Sequence, residues 1–215
     1  MMRRSQGDAM KRRSWGDAMK RRALLLLPLA AAGCASADPL YFTLMVRPGS
    51  PSVGGPRLVE LRRIGLAGYL DRPEIVRNGS EYRLRIANGE RWGEPLGELI
   101  ARVLAEDLTT RLPGTTVFTA AGSISANPDA TLEMDVQRLD ADQSGQVVLL
   151  AQVAVTRAGV RTPSAAQSVR LVVAPGAGAT VDYVAAISTV LGQLADRIVP
   201  LLMAPAARRG AGGQG

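Results

Sequence analysis

Two runs of aliphatic residues at helical spacing, one mid-chain and one near the end, set the architecture. Leu96, Leu99, Ile100, Val103, Leu104 and Leu108 fall at i, i+3, i+4, i+7, i+8 and i+12, which puts them on one face of a helix. Pro95 suits the first helical turn and Pro113-Gly114 stops it, so a helix is predicted over Pro95–Leu112. Val184, Ile187, Leu191, Leu194 and Ile198 repeat the pattern and predict a second helix over Val181–Val199. Elsewhere the period is two. Leu132, Met134 and Val136 alternate with Glu133, Asp135 and Gln137 in a strand Thr131–Leu139. Val147–Val155 is apolar on both faces and reads as a central strand; Ser168–Val173 is a third. The turn DADQSGQ joins the first two, so a meander is the simplest pairing. Tyr41–Val46, Leu58–Leu66 and Thr115–Thr119 supply further strands, with a Pro/Gly/Ser loop over Arg47–Arg57. Tyr69–Glu94 is the least regular stretch. Asn78-Gly79 and Asn88-Gly89 read there as hairpin-type turns around a short strand Tyr82–Ile86. Together these give an α/β or α+β sandwich with a mixed, mostly antiparallel sheet.

A chain of 215 residues that is 47% hydrophobic can bury one real core, and with only 4% aromatics that core is built from Val, Leu, Ile and Ala. Histidine is absent, which excludes Ser-His-Asp and Cys-His catalysis and any His-ligated metal. One cysteine excludes an intramolecular disulfide and a multi-cysteine metal site. The net charge of +7 is misleading about partners. Residues 1–33 hold eight Arg/Lys and two Asp, whereas residues 34–215 hold 18 Arg and 17 acids. The folded part carries no basic excess of the kind nucleic acid requires, so nucleic acid is not a partner.

The N-terminus is an address. Lys20-Arg21-Arg22 precedes ten apolar residues, Ala23–Ala32, and then Gly33-Cys34. That is the layout of a secretory signal. Ten helical residues span about 15 Å, too short for a bilayer core of about 30 Å. Ala31-Ala32-Gly33-Cys34 resembles the bacterial lipobox. The resemblance implies a diacylglycerol thioether and an N-acyl chain on Cys34, a near-permanent anchor. By resemblance to sorted lipoproteins, in which Asp after the cysteine marks inner-membrane retention, Ala35 implies the inner leaflet of the outer membrane, facing the periplasm. The expected organisation is a signal peptide over 1–33, a lipidated tether over 34–40, a domain over 41–203 and a disordered tail over 204–215.

Several motifs are weaker than they look. Asp140, Asp142, Ser144 and Gly145 imitate the start of a calcium loop, but its twelfth position is Ala151 where a bidentate Glu is required, so a solvated hairpin turn is expected. Gly176 and Gly178 lack the Lys-Ser/Thr of a phosphate loop and read as a linker before a helix started by Thr180 or Asp182. Asp71, Glu74, Glu90 and Glu94 could supply a catalytic pair, yet set among Arg72, Arg77, Arg83, Arg85 and Arg91 they read as a surface ion-pair lattice. No metal site, no cofactor and no enzymatic activity are expected.

YLDRPEIV (Tyr69–Val76) followed by RWGEPL (Arg91–Leu96) and a Leu-rich helix resembles the PqiC family of auxiliary lipoproteins of ABC-type and MCE lipid-transport systems. YFTL after the lipobox and Arg47-Pro48 extend the likeness, which runs over most of Cys34–Leu112 and continues beyond mainly as an order of strands and helices. The resemblance implies a single three-layer α/β domain with a mixed, largely antiparallel five- to six-stranded sheet and two main helices, related to the TolB N-terminal or anticodon-binding fold. It implies a non-enzymatic outer-membrane lipoprotein that docks a periplasmic MCE-domain (PqiB-like) protein and its inner-membrane permease system, with a homo-oligomer as an extension. A direct periplasmic phospholipid carrier, with an apolar pocket between helix 96–112 and the sheet, is the alternative.

The candidate partner-binding residues are Tyr69, Leu70, Asp71, Arg72, Pro73, Arg91, Trp92, Glu94 and Pro95. Pro73 and Pro95 are expected to fix chain direction, Asp71 with Arg72 or Arg91 with Glu94 to pair, and Trp92 to act as a packing or docking anchor. One testable oddity precedes them: RRSQGDAMK (Arg3–Lys11) recurs as RRSWGDAMK (Arg12–Lys20). Met19 opens a compact lipoprotein signal and is the expected start, the alternative being a short duplication that lengthened the basic region harmlessly. N-terminal sequencing of a precursor held by blocking the signal peptidase is expected to read from Met19; a precursor beginning at Met1 or Arg3 overturns that.

Overall fold

The computed structural model describes residues 38–80, 82–124 and 126–204; the signal segment, Cys34 and the residues of the tail beyond Ala204 lie outside the described residues. The chain runs β1 (Leu40–Phe42), β2 (Leu58–Leu61), β3 (Gly65–Leu66), β4 (Glu74–Ser80), β5 (Arg83–Trp92), α1 (Leu96–Arg111), β6 (Thr116–Thr119), β7 (Ala130–Ala141), β8 (Val147–Arg157), β9 (Ala165–Val173) and α2 (Thr180–Met203).

The predicted meander is the backbone of the main sheet. β7, β8 and β9 pair antiparallel in sequence order, and β2 and β6 add in parallel on the far side of β7 to give the order β6-β2-β7-β8-β9. Ala130, Leu132, Met134 and Val136 are buried as their alternation requires. An irregularity between Val136 and Arg138 then shifts the phase, so that Leu139 is buried. The strand predicted over Leu58–Leu66 divides in two. β2 and β3 each run parallel to β7, with Arg62 N–H donating to the Leu132 carbonyl and Ala67 N–H to that of Val136. Gly65 fits closely at the second contact, where a Cβ would stand 2.5 Å from Asp135 Oδ1 and turn that carboxylate aside.

The region from Tyr69 to Glu94 is more regular than its sequence. β4 and β5 form a long antiparallel hairpin joined in parallel by β1 into a second, three-stranded sheet. Neither Asn-Gly pair is the turn. Asn78 and Gly79 lie within β4, and the chain reverses between Ser80 and Arg83. Asn88-Gly89 falls where the register takes five steps along β5, Ile86 to Arg91, against two along β4, Val76 to Glu74. Gly89 accommodates the excess at φ 74°. Cross-strand pairing thus overrides the local turn preference.

Each residue of the two predicted helical stripes is buried, from Leu96 to Leu108 on α1 and from Val184 to Ile198 on α2. By length and hydropathy α2 could cross a membrane, but it is packed into the domain core. The strand expected over Tyr41–Val46 ends at Phe42. Beyond it the chain continues as a strap over the helices. Met45 N–H donates to Ser188 Oγ of α2 at 3.1 Å and Arg47 N–H to Asp107 Oδ1 of α1 at 2.7 Å. Sheet, helix pair and overlying strap pack together in a mixed, largely antiparallel α/β domain.

A buried cation locks these layers. Arg111 donates to Arg47 O (2.8 Å), Asp107 O (3.0 Å), Gly192 O (2.9 Å) and Asp196 Oδ1 (2.6 Å), with the Asp107 carboxylate 3.6 Å away. Asp107 and Arg111 share the apolar stripe of α1, at seven residues from Ile100 and Leu104 respectively. Burial raises the Asp107 pKa, an effect opposed by the Arg47 N–H and by Arg111. The strap fits closely at Gly192, where a Cβ would lie 2.7 Å from Arg47 Cβ.

Two outcomes follow from this packing. Gly192→Ala is expected to overpack the strap against α2 and cost about 1–3 kcal/mol in urea melts; an unchanged midpoint contradicts the fit. A carboxyl whose pKa is raised on folding contributes stability that is present below its unfolded value, about 3.9, and lost as pH rises through its folded value. Asp107→Asn cannot ionise, so wild type is expected to lose stability relative to this variant as pH is raised from about 4 to 7. A difference that stays flat or moves the other way rejects the assignment.

Candidate functional site

The motif residues divide by burial into a brace and a rim. Leu70 is buried, and so is Trp92, 5% exposed within the hydrophobic core. Of the packing and docking roles expected of Trp92, this burial fits packing. Trp92 N–H donates to the Pro73 carbonyl at 2.8 Å, tying DRPEIV to RWGEPL, and Gly93 N–H donates to Phe42 O at 2.9 Å, tying both to β1. Tyr69 is half-buried. Its hydroxyl donates to Asp140 Oδ2 at 2.7 Å while Arg138 Nε donates to Asp140 Oδ1 at 2.7 Å. Burial, with the Asp140 carboxylate beside it, pushes the Tyr69 hydroxyl well above the usual phenol range. The hydroxyl stays protonated and serves as a bracket.

The expected ion pairs form with different partners. Arg91 faces Glu74 at 3.8 Å, because β4–β5 pairing sets these two opposite one another. Glu94 turns to α1 and takes Arg102 at 2.6 Å, with Glu106 3.8 Å from the same guanidinium. Asp71 and Arg72 make no ion pair among the described residues, and Arg72 Nε is buried without a hydrogen-bond partner there. Glu90 accepts a hydrogen bond from Thr180 Oγ1 at 2.6 Å. Glu74, Glu90 and Glu94 thus go to separate partners, two of them arginines, rather than facing one another across a cleft.

The calcium-like loop also resolves into structure. Asp142 accepts from Ser144 N–H (2.9 Å), Ser144 Oγ (2.6 Å) and Gln146 N–H (3.0 Å), which closes the β7–β8 turn and lowers its carboxyl pKa. Asp140 is buried and turned to Tyr69, so it does not join a solvated turn as expected. Among the described residues no group of acids could hold a metal. Before α2, Asp182 accepts from Ala179 N–H at 3.2 Å, a helix start as expected.

What the motif does bring together is a groove of about 750 Å³ between the first turns of α1 and strands β2, β3 and β6. Asp71, Glu94 and Pro95 meet at its rim. Its apolar wall is Leu61, Ile64, Leu66, Val117 and Phe118, and its α1 wall is Gly97, Ala101 and Ala105, spaced by four. This small-residue stripe lies beside the apolar stripe of α1 and was visible in the sequence, though nothing there marked it as a wall. Charged side chains, among them Arg62, Glu98 and Arg102, ring the opening. A second hollow of about 870 Å³ lies on the open face of the main sheet, lined by Glu60, Arg62, Glu133, Asp135 and Gln152, with Arg62 paired to Glu133 at 2.5 Å. No motif residue reaches it, so the groove beside α1 is the candidate site.

Known proteins share this architecture. The Escherichia coli K12 and Shigella flexneri proteins described as intermembrane transport lipoprotein PqiC are each 28% identical to this chain over 123 residues, 55% of this chain and 64% of theirs. The chain thus spans under two thirds of the length of the curated relatives it matches. Two solved structures share the fold. An uncharacterised protein superposes with a TM-score of 0.63 at 19% identity, covering 76% of this chain and 97% of its own. A Xanthomonas campestris protein gives 0.62 at 16% identity, covering 78% and 95%. The profile of a family described as the ABC-type transport auxiliary lipoprotein component matches residues 42–199, from β1 to the last turns of α2. That identity is of an accessory to transport and not of an enzyme, and the chain belongs to the ABC-type transport auxiliary lipoprotein component family.

Proposed function

We propose that this chain is a lipid-anchored component of an MCE-type intermembrane lipid path. Lipid on Cys34 holds it in the inner leaflet of the outer membrane, and the groove beside α1 receives the distal end of a periplasmic MCE-domain partner. The observation that carries this is that Asp71, Glu94 and Pro95 all line one groove, while their motif neighbours Leu70 and Trp92 are buried in the core. A rim of mixed charge over an apolar floor suits a protein segment, with the floor supplying burial and the rim supplying register. Absence of histidine and of a metal cluster among the described residues fits binding as the task.

A second reading has its own observation. A groove of about 750 Å³ with an apolar wall falls in the range of small-molecule sites, about 300–1,000 Å³. A phospholipid acyl chain would suit it, and the domain would then carry lipid itself.

One pair of variants separates the readings. Ala101→Phe fills the groove and Asp71→Arg reverses the rim charge without touching the floor. If a partner segment docks there, both are expected to lower in-cell crosslinking from a photoreactive residue at Glu98 to an MCE-type protein at least tenfold. If lipid is carried, native mass spectrometry of the detergent-extracted chain is expected to show a phospholipid beyond the covalent anchor, lost in Ala101→Phe and kept in Asp71→Arg. Full crosslinking in both variants, with no bound phospholipid in wild type, rejects the groove as the site.

A further inference from the structure

The β4–β5 hairpin carries an apolar face out of the core and into solvent. Val76 is 5% exposed, Ile86 opposite it 41%, Leu84 50% and Tyr82 96%. Only the base of the hairpin is held. Tyr183 hydroxyl donates to Val76 O at 2.9 Å, and the Arg77 guanidinium sits 5.0 Å over the Tyr183 ring and donates to Thr180 Oγ1. β1 pairs with β5 only over Glu90–Trp92, so the outer part of β5 has β4 alone as a described neighbour. Large apolar side chains placed together at a projecting tip mark a contact surface.

We propose that this tip is a membrane contact. The tip of the hairpin enters the headgroup region of the bilayer that holds the Cys34 lipid, with Tyr82, and Leu84 and Ile86 on one face of β5, at the acyl boundary and Arg83 and Arg85 on the other face reaching lipid phosphates. This rests on the lipid-anchor reading of Cys34. Chain length is the first reason to choose a bilayer over another occupant. The six residues from Cys34 to Leu40 reach at most about 20 Å, and Leu40 is in register with Glu90, on the same strand that leads to the tip. Tyr82 is eight residues from Glu90, about 26 Å along a strand. The tip therefore lies within the same length scale as the tether, and a domain held that close turns one face to the bilayer. Leu40 and Tyr41, where the tether enters, are themselves exposed apolar residues.

Charge is the second reason. Arg83 and Arg85 are exposed and make no ion pair among the described residues, whereas Arg77 and Arg91 are turned to partners in the domain. Tyrosine and arginine interleaved with aliphatic residues is the composition of the membrane interface. There the aromatic ring is amphipathic and the guanidinium reaches anionic headgroups.

The test uses the full-length lipidated chain in vesicles of phosphatidylethanolamine and phosphatidylglycerol. Cys34 is the only cysteine and on the anchor reading its thiol is taken by lipid, so Tyr82→Cys, Leu84→Cys and Val53→Cys each offer one thiol for a nitroxide. Labels at 82 and 84 are expected to collide more with oxygen than with a water-soluble nickel chelate. At the exposed loop residue Val53 the order is expected to reverse. The same aqueous ratio at 82, 84 and 53 overturns the proposal. Should the unsubstituted chain take label at Cys34, the anchor reading fails by itself. The hairpin is then judged with the full-length Cys34→Ser chain, whose sedimentation with these vesicles is expected to fall at least fivefold when Leu84→Glu and Ile86→Glu are added; no change overturns it. A photoreactive residue at 82 in living cells is expected to give a phospholipid adduct. An adduct with a protein, including a second copy of this chain, instead of lipid overturns it.

Discussion

Arg111 is where the sheet-bound helices meet the strap that follows β1. A guanidinium removed from water costs several kcal/mol unless its donors are satisfied. Here they are spread over three separate pieces of chain: α1 itself, the Gly192 carbonyl and Asp196 of α2, and the Arg47 carbonyl of the strap. The arrangement forms only when all three are present together. Removing any one would leave a buried donor without an acceptor, so the strap, though it has no secondary structure, is bound to the fold as firmly as a strand. The same cluster fixes the path by which the chain before α1 crosses the two helices.

α1 is divided lengthwise between two tasks. Its Leu, Ile and Val stripe binds the main sheet, while Gly97, Ala101 and Ala105 face the groove. Small side chains there leave open a space that larger ones would fill. A Cβ at Gly97 would meet Leu66 at 3.5 Å and the Ile64 carbonyl at 3.6 Å, so the wall approaches the strands closely even as it leaves the groove open. The sequence motif serves this division. Leu70 and Trp92 are structural, Tyr69 is pinned by Asp140, and only Asp71, Glu94 and Pro95 emerge at the rim. A motif specific enough to carry a family resemblance is, for the most part, the brace that shapes a site.

The two sheets differ in how far they are covered. The main sheet buries one face under both helices and leaves Glu60, Glu133 and Asp135 on the other, an ordinary solvated face. The small sheet is anchored at its base by Tyr183, Arg77 and Thr180 and is uncovered toward its tip. An exposed hairpin rich in apolar residues is a liability in a freely diffusing protein. In a chain held to a bilayer the same surface has a place to go.

The helices, the meander and the core were legible because they rest on periodicity. Burial of one face demands apolar residues every two or every 3.6 positions, and Leu132–Val136, Leu96–Leu108 and Val184–Ile198 meet that demand without reference to any neighbour. Absence of histidine and the single cysteine likewise narrowed the chemistry before any fold was known. What the sequence could not decide were the choices made between distant segments. Asn78-Gly79 and Asn88-Gly89 are good turn sequences, yet pairing between β4 and β5 absorbs both. Asp107 and Arg111 stand at the C-terminal end of an apolar stripe, a visible anomaly, but their partners Arg47, Gly192 and Asp196 are up to 85 residues away. Arg91 and Glu94 are near each other in the chain and turn to different partners. Local pattern determines which face of an element is buried; only the tertiary structure decides what it is buried against, because that energy belongs to contacts between residues the sequence does not place side by side.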